Sequence, residues 1–188
     1  MGSNLIGLAT METFTCCILL LVGALYSSAD VTRQETFYTT GKLKERFFIQ
    51  LDSLAIDSLY KDGKYERWHN NGRREAVGFF KKNARDSRWE FWWKNGQKKE
   101  EGYYSAGQRE GSWKGWWDNG ERMYEGYYKY GQQEGKWSEW HRNGQPRYTG
   151  YYTYGKKGGK WTFWDKQGLK IKETYYENDG IIRSEDFN

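Results

Sequence analysis

From Gly63 to about residue 180, apolar and polar positions alternate in short runs broken by glycine, and the alternation restarts every 24 residues. The unit is clearest from Trp113 to Lys136; it restarts at Trp137 and Trp161 and begins earlier at Trp89 and, more weakly, at Tyr65. Trp68, Trp92, Trp116, Trp140 and Trp164 keep the same step, as do Gly72, Gly96, Gly120, Gly144 and Gly168. So do Tyr104, Tyr128, Tyr152 and Tyr176, with Phe80 in the first copy. A fixed period of this length marks a repeat architecture. Alternation with period two predicts strands, and no helical period is present in this region. The pairs Asn71-Gly72, Asn95-Gly96, Asn119-Gly120 and Asn143-Gly144 predict two-residue type I′ hairpin turns, with Gln167-Gly168 a weaker fifth. Gly107, Gly131 and Gly155, followed by Gly111, Gly135 and Gly159, mark the return to the next hairpin. The expected fold is all-β: an elongated single-layer antiparallel meander of tandem 24-residue β-hairpins. It has about ten strands, is about 50 Å long at ~4.8 Å per strand, and carries a short N-terminal apolar helix.

If Asn119 and Gly120 are the two turn residues, Asp118 pairs with Glu121, Trp116 with Met123, and Trp113 with Gly126. The same count sets Trp89 against Gly102, Trp137 against Gly150, and Trp161 against Thr174. A Trp laid across a strand glycine offsets the weakness of glycine in a strand, so Trp89, Trp113, Trp137, Trp161, Gly102, Gly126 and Gly150 are assigned structural roles. Facing Thr174 instead of glycine predicts a looser fifth hairpin. Alternation puts Trp116 and Tyr127 on one face and Trp113 and Tyr128 on the other.

Outside the repeats, residues 14–25 form an apolar run too short for a comfortable membrane span. Its length suits a signal peptide, with Ser27-Ser28-Ala29 as a cleavage site, but no Lys or Arg precedes it and Glu12 does. Residues 1–29 are therefore read as a signal peptide or membrane anchor, with a plain helix as the alternative. Export or anchoring follows in the first two cases, a cytoplasmic location in the third. Residues 30–62 read as a degenerate capping repeat, because Gly41 and Gly72 are 31 residues apart and an insertion of about seven falls near Leu51–Leu59. Residues 63–182 hold five repeats, and 183–188 form a charged tail.

Composition changes this picture in one respect. Leu, Ile and Val are scarce after residue 60, while aromatics make up 19% of the chain, so Trp and Tyr must supply the core. That aromatic content excludes a disordered chain. The net charge of +5 is spread among alternating acidic and basic residues, which fits a solvated surface and disfavours nucleic acid. The two cysteines, Cys16 and Cys17, lie in the apolar run, so the repeats contain no disulfide or cysteine metal site.

The pattern Gly-x-Trp-x-x-Trp-x-x-Asn-Gly, followed by Glu-Gly-Tyr-Tyr-x-x-Gly-x-x-x-Gly, resembles the MORN repeat over about residues 60 to 180. The Trp-x-x-Trp spacing is closer to the MORN variant of many bacterial proteins, some labelled YwqK-family antitoxins of toxin–antitoxin pairs. The resemblance implies a curved sheet of tandem hairpins used for protein interaction or scaffolding, linked in some relatives to membranes.

No catalytic constellation emerges. His69 and His141 share one repeat position with Trp93, Trp117 and Asp165, but three repeats separate them by about 30 Å. The recurring Gly-x-x-x-Gly leads into a strand, which a phosphate-binding loop does not do. No metal, cofactor or catalytic residue is expected. The leading expectation is a non-catalytic scaffold binding another protein through an aromatic face at Trp92, Trp93, Trp116, Trp117, Trp140, His141 and Trp164. The alternatives are an anionic-lipid surface binder and, more remotely, a glycan-binding or hydrolytic protein.

Overall fold

The computed structural model describes residues 31–51 and 59–187, and these form a single open antiparallel sheet in which every strand pairs with its neighbours in sequence. The strands are β1 (Val31–Phe37), β2 (Leu43–Leu51), β3 (Leu59–Trp68), β4 (Arg74–Lys81), β5 (Ala84–Trp92) and β6 (Lys98–Ser105). They continue with β7 (Gln108–Trp116), β8 (Arg122–Lys129), β9 (Gln132–Trp140), β10 (Pro146–Thr153), β11 (Lys156–Trp164), β12 (Lys170–Glu177) and β13 (Gly180–Asp186). There are thirteen strands where about ten were expected, because residues 31–51 form a hairpin of their own and residues 180–186 extend the last repeat. At ~4.8 Å per strand the sheet measures about 58 Å. The apolar run at 14–25, and its reading as a helix, signal or anchor, lies outside the described residues. So do residues 52–58, within the segment where the insertion was expected.

The Asn-Gly turns differ from expectation. At Asn119-Gly120 the Gly120 amide donates to the Trp117 carbonyl at 2.9 Å, and the Trp117 amide to the Glu121 carbonyl at 2.8 Å. Only the glycine has positive φ, +91°. This is a three-residue loop, a type I turn closed by a left-handed glycine, where a two-residue type I′ turn was predicted. Asparagine serves a different purpose here: its Oδ1 accepts the Glu121 amide, and its Nδ2 donates to the Arg142 carbonyl of the next repeat at 2.8 Å. Asn71 and Asn143 make the same pair of bonds. The type I′ turns lie on the other side, where Tyr130 and Gly131 have φ of +50° and +76°. Lys82-Asn83, Ala106-Gly107, Tyr154-Gly155 and Asn178-Asp179 repeat them.

The extra loop residue is cancelled by a bulge at Met123, so Trp116 pairs with Arg122 and not with Met123, and Glu121 meets Trp117 and not Asp118. Beyond the bulge the expected register returns: Trp113 with Gly126, Trp89 with Gly102, Trp137 with Gly150 and Trp161 with Thr174. The rings, however, do not cover those partners. Each leans the other way, over the glycine of the preceding hairpin: Trp89 on Gly78, Trp113 on Gly102, Trp137 on Gly126 and Trp161 on Gly150. The repeats are therefore stapled to one another and not each within itself. Trp161, resting on Gly150, is as buried as its counterparts, so the hairpin with Thr174 is not looser at this position.

One aromatic per strand completes a zipper on this packed face: Phe80, Trp89, Tyr104, Trp113, Tyr128, Trp137, Tyr152, Trp161 and Tyr176. Successive rings meet edge to face at 5.0 to 6.2 Å. Such pairs add ~0.5–1.5 kcal/mol each beyond area burial. This is how a sheet without a second layer makes a core.

Candidate functional site

The packed face is closed by the protein's own cations. Arg85 lies 4.7 Å from the Trp89 ring centre, Arg109 4.0 Å from Trp113 and Lys157 4.8 Å from Trp161, with Gln133 at the corresponding position beside Trp137. At mid-sheet Arg109 also bonds Glu100 at 2.6 Å, and Tyr124 donates to the other oxygen of that carboxylate. Burial works against the Arg109 charge, but Glu100 and the surrounding tyrosines hold its pKa above the ordinary value. Burial, with Glu100 added, holds the Tyr124 phenol well above the usual range. For Tyr65, burial and then Glu45 raise the pKa to about 12. These contacts tie neighbouring strands of the packed face together.

The other, polar face is where the candidate residues fall. Trp92, Trp116, Trp140 and Trp164 are half-buried and form a row at the end of the strands near the Asn-Gly loops. A cation from the preceding hairpin stands beside three of them: Arg74 shares a shallow depression with Trp92, Lys98 is 5.9 Å from Trp116, and Arg122 is 5.7 Å from Trp140. Pro146 takes the equivalent position before Trp164.

The next column is structural in what it touches. His69 Nε2 bonds the Trp92 carbonyl at 2.9 Å, Trp93 Nε1 donates to Trp116 at 2.8 Å, Trp117 Nε1 to Trp140 at 3.2 Å, and His141 Nε2 bonds Trp164 at 3.0 Å. The variable position is therefore a latch that reads the loop of the following repeat, and Trp93, Trp117 and His141 join the structural group. In the fifth copy Asp165 turns inward and accepts the Gln167 and Leu169 amides. Of the candidates, the sheet brings Trp92, Trp116, Trp140 and Trp164 into one row and sets the other three apart as loop fasteners.

Sequence reasoning left a second row out of the site. Phe79, Tyr103, Tyr127 and Tyr151 stand on the polar face, 46 to 54% exposed, at every second strand. None takes part in an aromatic pair among the described residues. Between them runs a charge network: Arg88 and Lys98 each bind both Glu90 and Glu101 at 2.7 to 3.1 Å, and Arg122 binds Glu125 at 3.3 Å. Burial raises the Glu101 pKa, but the bonds from Lys98 and Arg88 outweigh it and hold the carboxyl below its ordinary value. The signal for this row was available in the doubled aromatic of each repeat, Phe79-Phe80 and then Tyr-Tyr, one ring of which must face away from the core.

Among the described residues no group of three His, Cys, Asp or Glu side chains could hold a metal ion. The depressions on the polar face are open and shallow.

A single-layer sheet of like hairpins, packed on one face and open on the other, is a repeat scaffold. The profile of the MORN repeat variant matches residues 85–106, 109–130 and 133–154, the three hairpins β5–β6, β7–β8 and β9–β10. Residues 85–154 are three tandem MORN-variant repeats. No curated protein matches the chain.

Proposed function

We propose that the protein is a non-catalytic scaffold that binds another protein on the polar face, centred on the row Trp92, Trp116 and Trp140. The observation that carries this reading is the asymmetry of the sheet. One face buries its rings under its own cations, while the other leaves half-exposed tryptophans and exposed tyrosines beside Lys and Arg. Aromatic and arginine side chains together are what interface anchors consist of. The cations of this face are largely paired with carboxylates a few ångströms away, which favours a protein partner over an anionic lipid surface.

Affinity purification with the full chain, compared with a Trp116→Ser/Trp140→Ser variant, tests it. Retention of the partner should fall sharply in the variant while the melting temperature holds. Equal retention by a folded variant refutes the reading, and unfolding of the variant assigns both rings to the scaffold.

A further inference from the structure

On the polar face the exposed rings of Tyr103, Tyr127 and Tyr151 recur at every second strand, which sets them about 9.6 Å apart. Between successive rings lie shallow depressions. One is lined by Arg88, Glu101, Gly102, Tyr103, Ser112 and Lys114. The next is lined by Ser112, Lys114, Glu125, Gly126, Tyr127, Lys136 and Ser138. The surface is thus a ladder of aromatic rungs and backbone-floored gaps with a fixed step.

An extended polyproline II strand has the same step. Three residues per turn at 3.1 Å give about 9.3 Å per turn, so one edge of the strand presents a residue to each rung. Pyrrolidine rings are flat, apolar and already fixed in this conformation, and aromatic-lined grooves are what binds them. The carbonyls of such a strand have no internal partners, so each exposed tyrosine hydroxyl has an acceptor within reach. Sheet twist, ~20–25° per strand, turns the row gradually, and a single extended strand can follow this where a flat rigid surface cannot.

Charge selects among such strands. From Arg88 to Lys136 the face carries the cations Arg88, Lys98, Lys114, Arg122, Lys129 and Lys136 against the carboxylates Glu90, Glu101, Glu110, Glu125 and Glu134, of which Glu110 and Glu134 accept the Tyr130 and Tyr154 amides. Arg88, Lys98 and Arg122 are bound to Glu90, Glu101 and Glu125, while Lys114 and Lys136 form no ion pair within 4.0 Å among the described residues. Both ammoniums line the depression beside Tyr127.

We propose that the tyrosine row binds an acidic, proline-rich peptide segment in the polyproline II conformation, with prolines on Tyr103, Tyr127 and Tyr151 and carboxylates on Lys114 and Lys136. This rests on the scaffold reading above and names the chemistry of its partner.

The test is fluorescence anisotropy with the full chain and a labelled peptide of repeating Pro-Pro-Glu, about 12 residues and so about 37 Å long. It should bind at least tenfold tighter than a Pro-Pro-Lys peptide and than a flexible Gly-Ser-Glu peptide of equal charge. Tyr127→Ser and Lys136→Glu should each weaken it at least tenfold with the melting temperature unchanged. Should Tyr127→Ser fail to fold, Lys136→Glu, which alters only an exposed charge, carries the comparison. Absence of binding, equal binding of the flexible acidic peptide, or tighter binding of an anionic oligosaccharide overturns the proposal. A captured partner that needs Trp116 and Trp140 but has no acidic proline-rich segment removes this inference and leaves the scaffold; a partner indifferent to both rows removes the scaffold reading.

Discussion

Replacing Gly102 with alanine isolates the contact on which the stacking of repeats depends. Gly102 has an extended backbone without positive φ, so on conformational grounds alone alanine should stabilise the strand by ~0.5–1 kcal/mol. The added Cβ, however, would sit inside 3.0 Å of the Trp113 ring atoms Cδ2 and Cε2. That ring is fully buried and fixed on every side. Its Nε1 donates to the Tyr103 carbonyl at 3.0 Å, Tyr104 meets it edge-on at 5.0 Å, and Arg109 caps it at 4.0 Å. Relief requires a ring shift of roughly an ångström, an overpacking cost of ~1–3 kcal/mol. The indole hydrogen bond goes with it, ~1 kcal/mol more. The net effect is a loss of about 2 kcal/mol.

Gly158→Ala is the matched control: also without positive φ, it has nothing within 4 Å of the new Cβ, and it should be neutral or stabilising by ~0.5 kcal/mol. Urea unfolding followed by circular dichroism measures both, and in a Trp113→Leu background the Gly102→Ala cost should shrink by ~1 kcal/mol or more. Equal stability of Gly102→Ala and Gly158→Ala would refute the interlocking of repeats through this contact.

Other expectations follow from the loops, the rings and the titrating groups. Asn119→Ala removes both the Glu121 turn bond and the Arg142 link and should cost ~1–2 kcal/mol in urea unfolding, with Asn119→Asp, which keeps the acceptor, costing less. Tyr130 has φ +50°, so Tyr130→Asn should raise stability by ~0.5 kcal/mol and the melting temperature with it. Trp137 stacks parallel on Tyr124, turned so that its Nε1 has no partner among the described residues, whereas Trp113 bonds Tyr103; Trp137→Phe should therefore cost less than Trp113→Phe in the same assay. Tyr65 and Tyr152 have pKa values raised to about 12, first by burial, and Tyr124 and Tyr148 are raised as well. A raised folded-state pKa gives stability that is complete below the unfolded value of 10.0 and is lost as pH rises through the folded one. Alkaline unfolding should therefore set in above pH 10, with a late phenolate absorbance step from these buried tyrosines.

Much of the architecture could be read from the chain because period, alternation and turn residues agree with one another. Trp113 opposite Gly126 came out correctly from a mistaken turn, since the extra loop residue and the bulge at Met123 offset each other in the count. Pairing alone, though, does not say which neighbour a ring leans on, so the true bed of Trp113, Gly102, was hidden. The Asn-Gly pairs misled because asparagine is used there for its side-chain amide and not for a left-handed backbone. Tyr130-Gly131 takes the type I′ turn without its usual residues, held by the Gly131 amide on the Arg109 carbonyl and the Tyr130 amide on Glu110. His69, Trp93, Trp117 and His141 share a repeat position in the sequence, but that all four rings reach a carbonyl one repeat away shows only in the structure. Alternation places Tyr127 on the face of Trp116, but the exposure of its row depends on the packed face consuming Tyr104, Tyr128 and Tyr152.

Oxidative footprinting of the full chain with and without its captured partner tests the central claim most directly. The account predicts protection of Trp116, Trp140, Tyr103, Tyr127 and Tyr151 on the polar face, with Trp89, Trp113 and Trp161 unreactive in both states. Protection confined to the two edge strands or to the cations over the packed face, with the polar-face rings as reactive as before, would contradict it.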